Sequence, residues 1–391
     1  MKLRFDLISR TVAALTLGAT FLTAAENNAA AKEYFVYFGT YTKAPSKGIY
    51  RARFDVTTGK LGAAELAVEC RDPSFLAVHP NGRFLYAVEE GVDPRQKLAR
   101  GVSAFSLDAV SGSLAPLNHQ SASGAAPCHV TVDQSGRAVM VANYTSGSIA
   151  AIRLQPDGQL GAMGSEIQHT GSSVNTSRQS GPHAHAVTLS PDNRFVFVPD
   201  LGLDQVRIYK LAPDTATLTP HTPAFAALPP GSGPRHIAFH PNGKLAYVIN
   251  ELLCTITAFR YDAQAGELKE IETVSTLPAG ETVKPGMSTA EVAVHPNGKF
   301  LLGSTRGHNS ISVFAVDETS GRLTQIQNQS TLGRTPRHFT LDPTGNWLLA
   351  ENQDSGNVAV FRFDSRSGKL TASGQPIEVP HPVCAVFVPV K

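Results

Sequence analysis

Net charge is almost absent from this chain: 34 lysines and arginines stand against 32 aspartates and glutamates, a formal +2. That excludes a nucleic-acid or polyanion binder working through a basic surface. Cysteine is scarce as well. The four present, Cys70, Cys128, Cys254 and Cys384, form no C-x-x-C pair, which excludes a zinc ribbon and a thioredoxin-like redox motif, and C-x-x-C-H is absent, which argues against a c-type haem. They fall mostly in strand-like segments, so buried free thiols are expected. No G-x-S-x-G elbow occurs, so a serine hydrolase of that type is not expected. No Walker or dinucleotide fingerprint appears, and no cofactor is expected. After residue 32 no apolar run is long enough to span a bilayer.

The N-terminus has a distinct composition. Lys2, Arg4 and Arg10 precede an apolar stretch from Thr11 to Thr23, followed by small residues near Ala25 and Ala31. This reads as a signal peptide over residues 1–31, cut somewhere in 25–31, leaving 32–391 as a single domain. A retained anchor helix is the alternative; Asp6 and the threonines weaken it. Export, to a bacterial periplasm, follows, with no membrane attachment of the mature chain.

What is abundant is repetition. His79-Pro80-Asn81-Gly82 returns as His240-Pro241-Asn242-Gly243 and His295-Pro296-Asn297-Gly298, with looser copies starting at Asp133, Ser190 and Asp342. A second landmark, Asp55-Val56-Thr57-Thr58-Gly59-Lys60-Leu61, recurs at Asp108–Leu114, Asp262–Leu268, Asp317–Leu323 and Asp364–Leu370, with degenerate forms ending at Leu160 and Leu218. Repeats of about 50 residues built from turns and alternating strands indicate a β-propeller. Seven Asp/Gly turns imply seven blades. Each blade reads as four strands: for example Arg235–Phe239, Lys244–Ile249, Cys254–Tyr261 and a last strand from about Leu268. The fold class is therefore all-β, a seven-bladed propeller of four-stranded blades. The chain opens on a second strand, Tyr34–Gly39, and closes on a first strand, Pro382–Val388. The two should complete one blade and close the ring without a free edge.

The regular turns share one face of such a ring. The irregular connections, 91–100, 164–181 and 277–287, share the other, which marks it as the working face. Aligning blades on the His-Pro-Asn-Gly turn gives an inner ring of Ser74, Cys128, His185, Arg235, Ala290, Arg337 and Val383. The next position holds Phe75, His129, Ala186, His236, Glu291, His338 and Cys384. After the second strand come Glu90, Tyr144, Leu201, Glu251, Arg306 and Gln353, one step past Glu89, Asn143, Asp200, Asn250, Thr305 and Asn352. Charge near a narrow axis is costly unless it is paired or solvated. Polar divergence there is thus a candidate site, against the plainer reading that these groups line a wet channel. The turn residues His79, His240 and His295 repeat with the turn and are expected to be structural.

His185, with His183 nearby, and Glu251 can move protons. Arg235 and Arg306 can clamp an anion and stabilise an oxyanion. This set suits proton transfer on, or water attack at, a small anionic ester such as a lactone. The segments Gly39-Thr40-Tyr41-Thr42, Asn143-Tyr144-Thr145-Ser146-Gly147-Ser148, Pro182-His183-Ala184-His185, Gly233-Pro234-Arg235-His236, Asn250-Glu251 and Arg306-Gly307-His308-Asn309-Ser310 resemble the seven-bladed lactonase family. That family contains propeller-type 6-phosphogluconolactonases and 3-carboxy-cis,cis-muconate lactonizing enzymes. The resemblance covers nearly all of the chain from Tyr34 onward. It implies His185, Arg235, Glu251 and Arg306 as catalytic residues, with His183, His236, Arg337, Asn143, Tyr144 and Asn250 around the substrate. It implies hydrolysis of a sugar lactone, 6-phosphogluconolactone by family default. Two other readings are a lyase opening or closing a lactone on a muconate-like diacid, and a non-catalytic periplasmic binding propeller. Asp200, Asn143, Asn250 and Glu251 offer oxygen ligands, but the muconate-like site needs no metal and none is expected. The expected partner is a small anionic lactone, and the expected state is a monomer.

Overall fold

The computed structural model describes residues 31–90 and 101–391; the expected leader and the 91–100 connection lie outside the described residues. Among the described residues all regular structure is β, arranged as seven antiparallel sheets. One blade shows the plan: Pro234–Phe239, Leu245–Asn250, Thr255–Asp262 and Glu267–Ser275 pair in that order, each within a residue or two of the expected bounds. The second strand of a blade is apolar along its length instead of alternating. Phe84–Val88 is wholly buried, because neighbouring blades cover both of its faces. Seven apolar clusters fill the gaps between successive blades. In one of them Phe84, Tyr86 and Val102 meet Val139, Val141 and Ile152 of the next blade.

The ring closes as the two chain ends require. Pro382–Pro389 pairs with Glu33–Thr40, Phe35 opposite Val388. Across the same seam Trp347 Nε1 donates to the Val56 carbonyl at 2.8 Å.

The turn histidines tie blade to blade. His79, His240 and His295 donate from Nε2 to the carbonyls of Gly136, Gly298 and Gly345, the turn glycines of the following blades, at 3.0, 2.7 and 2.8 Å. Each Nδ1 accepts the backbone N–H two residues on. Gly298 and Gly345 have φ of 75° and 72°, and a Cβ on either would stand 2.8 Å from the incoming ring. Conformation and space both call for glycine there. In the fourth blade Asn193 takes the equivalent left-handed position at φ 60°.

The first strands carry an irregularity that the repeat pattern does not reveal. In the third, fifth and seventh blades the ladder skips one residue: Cys128 between Pro127 and His129, Arg235 between Pro234 and His236, Arg337 between Pro336 and His338. The closing strand skips Val383, and the sixth blade shifts between Thr289 and Val292. In the fourth blade Ala184 forms a lone bridge to Asp200 and regular pairing resumes only at Thr188–Leu189, so the first strand there is much shorter than expected. These bulges fall on the inner-ring positions. A bulge frees a side chain from strict in–out alternation and re-aims it.

Candidate active site

The connections after the second strands and before the first strands frame a cavity of about 320 Å³ on the expected working face. Glu251 is its centre. The residue sits just past Leu245–Asn250, its backbone N–H bonded to the Gly233 carbonyl at 2.7 Å. Three arginines reach its carboxylate: Arg178 Nη2 at 2.6 Å from Oε1, Arg306 Nη2 at 2.9 Å and Arg235 Nε at 3.3 Å from Oε2. The side chain is 7% exposed. Burial alone would raise its pKa, but Arg306, Arg235 and Arg178 outweigh burial and hold the carboxyl down at about 2. Glu251 is ionised at neutral pH.

His185 faces it, Nε2 lying 3.9 Å from Oε2. That gap is too long for a direct hydrogen bond but suits a shared water. Burial first, then the positive fields of Arg235, His236 and Arg337, holds the imidazole well below its ordinary 6.5. His185 is therefore neutral beside an ionised carboxylate. Tyr144 packs edge-on against it at 5.2 Å. Cys128, behind the ring, places Sγ 3.3 Å from the His185 carbonyl; burial pushes this thiol far up, so it is no thiolate nucleophile.

The arginines are anchored from the framework. Arg306 Nη2 donates to Thr289 O and Arg235 Nη1 to Ala290 O, each at 2.7 Å. Arg306 Nε is buried without a hydrogen-bond partner, and Arg235 Nε, though 3.3 Å from Glu251 Oε2, makes no well-aligned hydrogen bond. Such unsatisfied donors are rare in a purely structural ion pair. Burial, then Arg337 and Arg306, depresses Arg235 to about 10, so it stays charged. Arg337 lies over the Tyr41 ring at 5.4 Å and forms no ion pair among the described residues. Burial opposes its charge, yet Tyr41, Glu90 and Glu251 together raise its pKa. Tyr41 in turn donates to Glu90 Oε2 at 2.9 Å. Three guanidinium groups line the cavity with two carboxylates, Glu251 and Glu90, and Arg235 adds its charge from beneath, so positive charge is in excess there.

Below Arg235 a polar chain runs down the axis. His236 Nδ1 donates to Glu291 Oε2 at 2.9 Å. His338 Nε2 lies 3.6 Å from that oxygen, and its Nδ1 lies 2.9 Å from Glu351 Oε2. His129 stacks on Phe75 at 4.1 Å.

Of the residues singled out in the sequence, His185, Glu251, Arg306, Arg337 and Tyr144 line the cavity, and Arg235 reaches Glu251 from beneath. His236 is one layer deeper, under Arg235. His183 stands behind Tyr144, stacked at 4.6 Å and bonded to its carbonyl. Asn143 and Asn250 do not line the cavity. Asn143 donates to the Ala122 carbonyl and Ser148 Oγ, Asn250 to the Thr255 and Thr257 hydroxyls, as strand-end ties. The four oxygen-bearing residues considered for a metal are likewise dispersed: Asp200 accepts from the His183 N–H and pairs with His169 Nδ1. Among the described residues no three His, Cys, Asp or Glu side chains are arranged to hold an ion. Glu90, Cys128, Arg178 and Ser288 also line the cavity and were absent from the expected site, as was Tyr41, which bonds Glu90. Glu90 and Tyr41 stood in the aligned ring and in the Gly39–Thr42 segment. Arg178 lies in the 164–181 connection, which has no counterpart in other blades, so aligning repeats could not reach it.

A family model described as lactonase, seven-bladed β-propeller, matches residues 35–387. The chain belongs to this lactonase family. Its expected class, a carboxylic ester hydrolase, is the family's. Among its relatives, a 6-phosphogluconolactonase of Bacillus subtilis is 39% identical over 91% of this chain and 99% of its own length. A 6-phosphogluconolactonase of Formosa agariphila is 33% identical over 78% of this lactonase and 86% of its own length. The structure of a periplasmic gluconolactonase from Pseudomonas aeruginosa superposes with a TM-score of 0.86 at 32% identity, covering 92% of this chain and 100% of that one.

Proposed function

We propose that this lactonase hydrolyses a sugar lactone bearing an anionic group, with 6-phosphogluconolactone, the substrate in its relatives' names, as the reference substrate. The observation that carries the reading is the neutral His185 facing the ionised Glu251 under a surplus of arginine charge. The His185–Glu251 pair takes a proton from the attacking water, the carboxylate stabilising the imidazolium that forms. Arg235 and Arg306 stabilise the negative charge that develops on the carbonyl oxygen. A bond forms between water oxygen and carbonyl carbon, the ring C–O bond breaks, and the proton passes to the leaving alkoxide. The product is the open-chain hydroxy acid, one water heavier. Arg337 and Arg178 face the cavity with capacity for the substrate's anionic group.

Export is part of the proposal. The basic and then apolar N-terminus supports it, as does likeness to a periplasmic enzyme. Purified mature protein should accelerate loss of gluconolactone or 6-phosphogluconolactone above the spontaneous rate, and Arg235→Ala should abolish the excess. No acceleration with either lactone, or an unchanged rate in the variant, refutes this function.

A further inference from the structure

Arg178 differs in kind from the other arginines of the cavity. Arg235, Arg306 and Arg337 come from strands; Arg178 comes from a segment without regular structure between Leu160–Gln168 and Thr188–Leu189. Its side chain is 41% exposed, against 13% for Arg306 and 4% for Arg235. Only Nη2 is engaged, to Glu251 Oε1 and to the Tyr144 hydroxyl at 3.1 Å. The rest of the guanidinium makes no hydrogen bond among the described residues and opens to the cavity.

The backbone beneath it is held firmly. Gln179, wholly buried, donates to the Leu201 carbonyl and to Asp204 Oδ1, both at 2.8 Å. Asp204 also accepts from Ser173 Oγ at 2.6 Å and from the Gly231 and Gly233 N–H groups at 2.7 Å. One buried carboxylate therefore ties the Arg178 segment to the connection leading into Arg235. The base of Arg178 is fixed while its head is half in solvent, at the mouth of a cavity with surplus positive charge. A head so placed can swing between two anions without loop rearrangement, since long side chains re-orient far more readily than packed backbone.

We propose that Arg178 is an exchangeable partner of Glu251: it holds Oε1 in the empty site and transfers to the anionic group of an entering lactone, freeing the carboxylate to support His185 only when that group is present. This rests on the lactonase reading above and deepens it, making Arg178 the residue that selects charged over neutral lactones. In the empty enzyme Arg178 draws negative charge to Oε1, away from the Oε2 atom that Arg306 and Arg235 hold beside His185, so the carboxylate supports a forming imidazolium less than it does once Arg178 has left. A neutral lactone leaves it pinned. An anionic lactone supplies the competing charge.

The test compares Arg178→Gln with wild type on 6-phosphogluconolactone and on neutral gluconolactone, with inorganic phosphate binding measured by calorimetry. The side chain is half-exposed, so the variant should fold; its melting temperature checks this. The expected result is a fall of at least about tenfold in kcat/KM for the anionic lactone, carried mainly by KM. The neutral lactone should show a raised kcat, because Arg178 no longer holds the carboxylate, and phosphate should bind about tenfold more weakly. Arg178→Lys should restore part of the discrimination. Equal losses on both lactones, or an unchanged ratio, overturn the exchange. If wild type turns over neither lactone, the lactonase reading fails; phosphate affinity unaltered by Arg178→Gln then overturns the anion-binding role independently, and a tenfold loss upholds it.

Discussion

Replacing Glu251 by glutamine preserves shape and removes the charge that three arginines share, two of them buried. The carboxyl is held at about 2 against an ordinary 4.5. At ~1.4 kcal/mol per unit, folding favours the ionised form by about 3 kcal/mol. The opposite effect acts on Arg235, depressed from 12.5 to about 10 mainly by burial and by Arg337 and Arg306, a penalty of similar size. In Glu251→Gln the compensation is gone and Arg235 loses one of the carboxylates that oppose its penalty, as when one partner is removed from any buried ion pair, which costs about 3–5 kcal/mol. With an unfolding entropy of ~2.1 cal/mol/K per residue over roughly 360 residues, 3 kcal/mol lowers the melting temperature by about 4 °C. The sign with pH follows from the depressed carboxyl. Its contribution is complete above pH 4.5 and disappears as pH falls through 2. The gap between wild type and variant should be full at neutral pH and narrow on acidification below 4.5. Calorimetric or dichroism melts across that range measure it. In parallel kcat/KM for the lactone should drop by about 10²–10⁴, the usual loss when a proton-transfer group is removed. A variant as stable as wild type at neutral pH, or more stable, refutes the view that this carboxylate neutralises the cluster.

Three further outcomes are expected. Because burial and the neighbouring cations keep His185 neutral well below 6.5, kcat/KM should stay level from about pH 8 down past about pH 6, after correction for spontaneous hydrolysis; an acid limb near 6.5 would show an ordinary imidazole instead. On the opposite face, His240→Ala removes the bond to the Gly298 carbonyl and should cost about 1–3 kcal/mol of stability. Gly298→Ala, which sets a Cβ 2.8 Å from His240 at φ 75°, should destabilise by about 1–2 kcal/mol or more. Denaturant melts should register both changes while kcat/KM stays within twofold.

The propeller, its seven blades and its closure by the last strand could be read from the sequence because each rests on local chemistry that repeats. A turn that needs histidine at one end and glycine at left-handed φ at the other writes the same letters wherever it occurs, as at His240–Gly243 and His295–Gly298. The inner ring could also be listed, since a fixed offset from a fixed turn lands on equivalent places in every blade. What the offset could not supply was direction. Bulges at Cys128, Arg235, Arg337 and the stretch around His185 turn those side chains out of the pleat, whereas Asn143 and Asn250, one step before the site ring, bond strand-end neighbours instead. A ladder slip depends on packing against the neighbouring strand and leaves no mark in a single blade's pattern. Arg178 lay further out of reach. It sits in a connection unique to its place in the chain and meets Glu251 across 73 residues, a proximity created only when the fourth and fifth blades close around the axis.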